Sequence, residues 1–232
     1  MYILQYYATW IVLLPALVLA MYAQLKVQST FSRYLRHPAY IGKSGAQVAR
    51  ELLDRNNLSD VRVERTGRTL GDHYDPRVRV LRLSPEVYEG RSIAALGVAA
   101  HETGHALQHA ANYLPLGLRN SIFPVASFGS QLALPLFFVG LLFQGAGLGW
   151  LTDLGILLFM TAILFQLVTL PVEFNASRRA MALLSQGGYI TRAEAGKTKE
   201  ILSAAALTYV AAVAVSIGQL LRLLLIRGQR RD

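Results

Sequence analysis

Five histidines occur in this 232-residue chain, and three of them, His101, His105 and His109, fall in one short segment. Residues 99–109 read AAHETGHALQH and contain the pattern HExxH. On an α-helix, residues four apart share one face, one turn above each other. His101 and His105 so placed can bind one tetrahedral zinc ion, with Glu102 as general base toward a metal-bound water. Zinc brings the pKa of such a water to about 7, so a carboxylate can take its proton as hydroxide attacks a carbonyl. Small neighbours (Ala99, Ala100, Gly104 and Ala106) permit close packing and metal access. The pattern is short, and two helix-surface histidines around an acid are the bland alternative. The concentration of histidines in one predicted helix favours the metal.

A catalytic zinc ordinarily takes three protein ligands and keeps one position open. His109 lies eight residues beyond His101, about 12 Å along a helix axis. That is too far for one unbroken helix to bring all three imidazoles to one ion. The longer pattern that recruits a third histidine through a glycine turn is lacking. His109 is therefore read as a surface residue or one that supports a ligand from behind. Glu173, in LPVEFNASRRA at 170–180, is the better third ligand. It stands where an apolar stretch ends, and two spans separate it from residue 120, which returns it to the same membrane side. The alternative is an interfacial glutamate paired with Arg178 or Arg179. Glu194 and Glu200 stay open as ligands; Asp153 is at the wrong end of its span.

The elements that must position these residues are read from composition and pattern. Hydrophobic residues make up 53% and charged residues 16%, against about 25% charged in soluble domains. Cysteine is absent, which excludes thiolate zinc sites and leaves His, Asp and Glu as donors. The net charge of +9 comes without a nucleic-acid motif and beside long apolar runs. A basic face against anionic lipid is the reading adopted. Four stretches are long and apolar enough to cross a bilayer, at about 2–25, 122–144, 154–172 and 201–226. The second and third should form a hairpin around the Gly-rich residues 145–153, with Trp150 near an interface. Arg222 interrupts the fourth and could snorkel to the headgroups.

Between the spans lie two polar blocks, 26–120 and 173–200. In the larger, the alternating runs 61–65 and 77–83 predict strands with a turn around 72–76. Ser84, Pro85 and Glu86 form a helix start, and the helix is expected to continue through HETGH to about Ala111. The block 26–120 carries 14 Lys and Arg and the block 173–200 five, whereas 145–153 carries none. The positive-inside rule puts both blocks in the cytoplasm. Four full spans would then leave Arg227, Arg230 and Arg231 outside, against that rule. Either the fourth segment stops short or the larger blocks dominate.

The chain resembles the bacterial neutral zinc metallopeptidases of the YugP type, more distantly similar to the HtpX class of membrane zincins. The resemblance covers nearly the whole chain. It rests on DHYDP at 72–76, VLRLS at 80–84, VAAHETGHALQ at 98–108, EFNASRRA at 173–180 and AAALTYVAA at 204–212. It implies zinc bound by His101, His105 and Glu173, with Glu102 as base. It further implies a mainly α, polytopic membrane protein of the bacterial inner membrane. About four transmembrane helices would carry a zincin-like catalytic domain with a small β-hairpin or sheet. The expected divisions are an anchor (1–25), the catalytic domain (26–120), a transmembrane hairpin (121–172), the third-ligand segment (173–200), and a last span with a basic tail (201–232). One departure bears on chemistry. The family pattern after the glutamate commonly reads Glu-Phe-Asp, and this chain has Asn175. If that position orients a ligating histidine, asparagine is a weaker acceptor. Ser177 also stands where the distant relatives place an aspartate.

His73 and Tyr74 could stabilise the oxyanion of a tetrahedral intermediate, or could be parts of a turn built by Asp72, Asp75 and Pro76. The run 77–83 is the candidate edge strand for an extended substrate. The partners expected are a protein or peptide substrate and the lipid bilayer, with no nucleic acid. The leading function is a membrane-bound zinc endopeptidase acting on membrane-associated or unfolded proteins. The competing readings are a site-2-type intramembrane protease and a catalytically weak metal-binding scaffold or regulatory partner.

Overall fold

In the computed structural model, which describes residues 2–68 and 71–228, seven α-helices, one short 3-10 helix (Gln144–Ala146) and one three-stranded sheet account for the described regular structure. In chain order these are α1 (Tyr2–Leu35), α2 (Gly45–Arg55), β1 (Arg62–Arg65), β2 (His73–Asp75), β3 (Val80–Leu83), α3 (Pro85–Tyr88), α4 (Ile93–Ala110), α5 (Leu114–Leu142), α6 (Trp150–Gln186) and α7 (Arg192–Gly228). Four of the helices, α1, α5, α6 and α7, are long and apolar enough to cross a membrane. The expected spans are thus present, but three of the helices continue well into the polar blocks. At 1.5 Å per residue, the 37 residues of α6 reach about 55 Å, far more than a hydrocarbon core needs.

Two compact units emerge. One holds residues 1–23, 117–170 and 208–232; the other holds 24–116 and 171–207. In the first unit, Phe137, Ile156, Leu223 and Ile226 pack together. Gly155 is required there, since a Cβ would lie 2.5 Å from the Ala133 carbonyl oxygen. Arg222 does not snorkel. It is 5% exposed, with its guanidinium 3.7 Å from the centre of the Trp10 ring and Nε 3.4 Å from the Thr9 hydroxyl. A cation–π contact in a desolvated place is worth more than one in water, which explains why the charge turns inward. Arg227 pairs with Asp153 at the start of α6. The end of α7 therefore lies beside residues 145–153, and α7 is long and apolar enough to cross a membrane. Arg230 and Arg231 lie outside the described residues.

The second unit carries the sheet, in the order β1-β3-β2. β1 runs parallel to β3, and β2 antiparallel to it. The segment read as a turn around 72–76 thus contains a strand, and the hairpin is β2–β3. β3 lies in the centre, so the run 77–83 is not an edge. Its burial explains this: Val80, Leu81 and Leu83 are fully buried, as expected for a strand flanked on both sides. β1 (Arg-Val-Glu-Arg) alternates and has no buried residue. The helix expected from Pro85 to Ala111 is also interrupted. α3 ends at Tyr88, and Ser92 starts α4 afresh by accepting a hydrogen bond from the Ala95 N–H at 3.1 Å. Ser84 makes no side-chain cap to α3, because its hydroxyl donates to the Asp72 carboxylate instead.

Candidate metal centre

α4 is a helix with three occupied faces. Ala99 and Ala106 pack into the core formed with Leu81, Leu83 and Val87. Ala94, Leu96 and Ala100 pack into a second core with Leu184, Ile201 and Leu202. The remaining face presents His101 and His105, whose rings meet edge to face with centres 4.8 Å apart. Glu102, between them, is 8% exposed.

α6 delivers the third group. Pro171 has no N–H for the carbonyl four residues earlier, and the second compact unit takes up α6 from this residue. Two residues later stands Glu173, 4% exposed. α4 and α6 approach closely because position 104 is glycine. A Cβ there would lie 2.7 Å from the Ala176 carbonyl oxygen and 3.2 Å from its Cα. Glu173 Oε2 is 3.3 Å from His101 Nε2 and 3.6 Å from His105 Nε2. One ligand atom from each residue lies within 4.8 Å of the other two. Two donors each about 2.1 Å from a tetrahedral ion would be about 3.4 Å apart. Both the spacing and the His, His, carboxylate donor set fit zinc. The imidazoles keep side-chain exposures of 14% and 12%, so the centre is reachable from solvent.

Each imidazole is also held from behind. The Ser177 hydroxyl lies 3.2 Å from His101 Nδ1. Gln108 Oε1 lies 3.0 Å from His105 Nδ1. The Gln108 amide donates to the Val172 carbonyl at 2.7 Å and to Asn175 Oδ1 at 3.0 Å. Asn175 Oδ1 also accepts from Arg179 Nε at 2.8 Å. Asn175 therefore does not touch a ligating histidine; it holds Gln108. Both of its contacts use a carbonyl oxygen, which asparagine supplies as aspartate would. Burial alone would pull the His105 imidazole below its usual range, but hydrogen bonding to Glu173 and the charges of Glu102 and Glu173 outweigh it and raise it.

The other sequence candidates lie elsewhere. His109 is not part of the cluster; its Nδ1 meets the Tyr74 hydroxyl at 2.9 Å, and burial pushes that phenol up. His73 is exposed, with Nδ1 bonded to the Gly71 carbonyl at 2.8 Å. Glu194 closes a capping box at the start of α7, accepting from the Thr191 N–H and hydroxyl, and it also accepts from the Tyr40 N–H. Glu200 pairs with Lys26 and accepts from the Tyr34 hydroxyl. Arg179 bonds Asn175, as above, where the alternative had paired it with Glu173. Sequence reasoning gave no role to Gln108, although its place three residues after His105 puts it on the same helical face. It gave Asp72 only a part in a turn. This carboxylate accepts from the Ser84 N–H at 2.7 Å. Burial pushes it up, and the charge of Glu102 adds to the rise against the lowering by Ser84.

Comparison with known proteins follows the same line. Residues 9–228 match a family described as "Putative neutral zinc metallopeptidase". The chain is 51% identical over 219 residues to the "Putative membrane protease YugP" of Bacillus subtilis (strain 168), covering 94% of this chain and 96% of that protein. No solved structure matches at a significant level. A match that takes in α4, α6 and all four membrane-length helices leaves no separate module to account for, and the chain belongs to this family of neutral zinc metallopeptidases.

Proposed function

We propose that the chain is a membrane endopeptidase that hydrolyses peptide bonds of membrane-associated or unfolded proteins at the cytoplasmic side. The observation that carries this reading is the convergence of His101 Nε2, His105 Nε2 and Glu173 Oε2 on the helix that also bears Glu102. The three residues would hold zinc, which when bound supplies a Lewis acid that acidifies water and polarises a carbonyl. Glu102 takes the proton of the attacking water and passes it to the departing amine. Glu173 balances part of the charge. Ser177 and Gln108 keep the two rings aimed. The basic blocks 26–120 and 173–200 support a cytoplasmic site.

The experiment is a comparison of purified full-length chain with Glu102→Gln. Zinc content should be unchanged, and cleavage of casein or of a detergent-solubilised membrane protein should fall by about 10²–10⁴-fold. Full cleavage by the zinc-loaded variant would remove Glu102 from the mechanism. The site-2-type reading is disfavoured by α4, which is not among the membrane-length apolar helices. The scaffold reading rested on Asn175, whose contacts to Gln108 and Arg179 leave the ligand set intact.

A further inference from the structure

The proton on His105 can be assigned from its neighbours. The Val172 carbonyl can only accept, so the group of Gln108 that meets it at 2.7 Å is the amide NH2. Asn175 Oδ1, itself bonded to Arg179 Nε, receives the second N–H of the same amide. That fixes the rotation of the Gln108 side chain, and its carbonyl oxygen must face His105 Nδ1. A carbonyl accepts, so Nδ1 carries the proton and Nε2 offers a lone pair. Nε2 is the atom that faces Glu173. Gln108 is fully buried, so water does not compete for these bonds.

We propose that Gln108 is the positioning residue of the metal centre, setting the tautomer of His105 and tying α4 to the turn of α6 that bears Glu173. The inference rests on the His101, His105, Glu173 ligand reading. Gln108 touches both sides of the set at once: one end holds a ligand ring, and the other holds the carbonyl of the residue preceding the carboxylate ligand. Asn175 and Arg179 act behind it, by fixing which way the amide points. Removal of such an outer partner ordinarily costs about 10–100-fold in metal affinity.

The test uses the full chain in detergent micelles, with zinc titrated against a competing chelator. Gln108→Ala should weaken zinc by about 10–100-fold. It should also shift the visible spectrum of the cobalt-substituted protein, while the helix content of the metal-free chain stays as in the parent. Gln108→Glu keeps an acceptor for Nδ1 and should recover part of the lost affinity. Ring-nitrogen NMR of the metal-free parent at alkaline pH gives a reading free of any folding defect and should find the proton of His105 on Nδ1. Parental zinc affinity in Gln108→Ala, or a proton on Nε2, would overturn the proposal. His105→Gln serves as the control. If it loses zinc while Gln108→Ala does not, only the role of Gln108 fails; if it retains zinc, the ligand reading fails and the role of Gln108 with it.

Discussion

Asp72 carries an electrostatic cost that its burial explains, with the Glu102 charge adding to it. Its carboxyl is raised by burial and by the Glu102 charge, against the bonds from Ser84. A folded-state pKa above the unfolded value favours the protonated form. Its contribution to stability is therefore complete below the unfolded value near 3.8 and is lost as pH rises through the folded value. At neutral pH the ionised group weakens the fold. Asp72→Asn keeps an acceptor for the Ser84 N–H and removes the charge. The variant should melt a few degrees higher than the parent at neutral pH and the same as the parent well below the unfolded value. A lower melting point at neutral pH would show that the carboxylate is needed in its charged form.

At the scale of elements, the centre depends on how closely α4 and α6 approach. Gly104 is the position through which the Ala176 backbone passes. Gly104→Ala would place a methyl group against a carbonyl oxygen, where neither can yield without moving a helix. Overpacking of this kind costs about 1–3 kcal/mol. It should also displace Glu173 and Ser177 together, because both ride on the same face of α6 one turn apart. The expected result is a zinc affinity reduced by about tenfold or more in a chain that still folds. A parental affinity would mean that α6 absorbs the methyl group without moving Glu173. The strand order could have been weighed from sequence, since VLRL at 80–83 is apolar at three of four positions and RVER at 62–65 is not. What misled the reading was Asp72 to Pro76, where turn-forming residues flank His73 and Tyr74; pairing with β3 makes 73–75 a strand despite them.

For the whole molecule, charge predicts the orientation. The Arg227 to Asp153 pair sets the end of α7 beside residues 145–153, which gives that end a basic residue. We propose that the 19 Lys and Arg of the two polar blocks outweigh it and hold both blocks in the cytoplasm. Because the chain has no cysteine, single cysteines report cleanly. In intact cells an impermeant maleimide should label Ala146→Cys and leave Lys199→Cys unlabelled until the membrane is opened. The reverse pattern would place the centre outside the cytoplasm.

The sequence by itself determined the apolar spans and the helix that aligns His101, Glu102 and His105, because span length and helical periodicity are local properties of the chain. It also pointed to Glu173, because counting spans is a topological argument that needs no coordinates. It removed His109 by the same local arithmetic. It could not assign Gln108, Ser177 or Asn175 their contacts, nor turn Arg222 onto Trp10. Those outcomes depend on the separation of segments distant in the chain, to within a fraction of the width of a methyl group. Gly104 against Ala176 sets one such separation, and only the packed tertiary structure decides it.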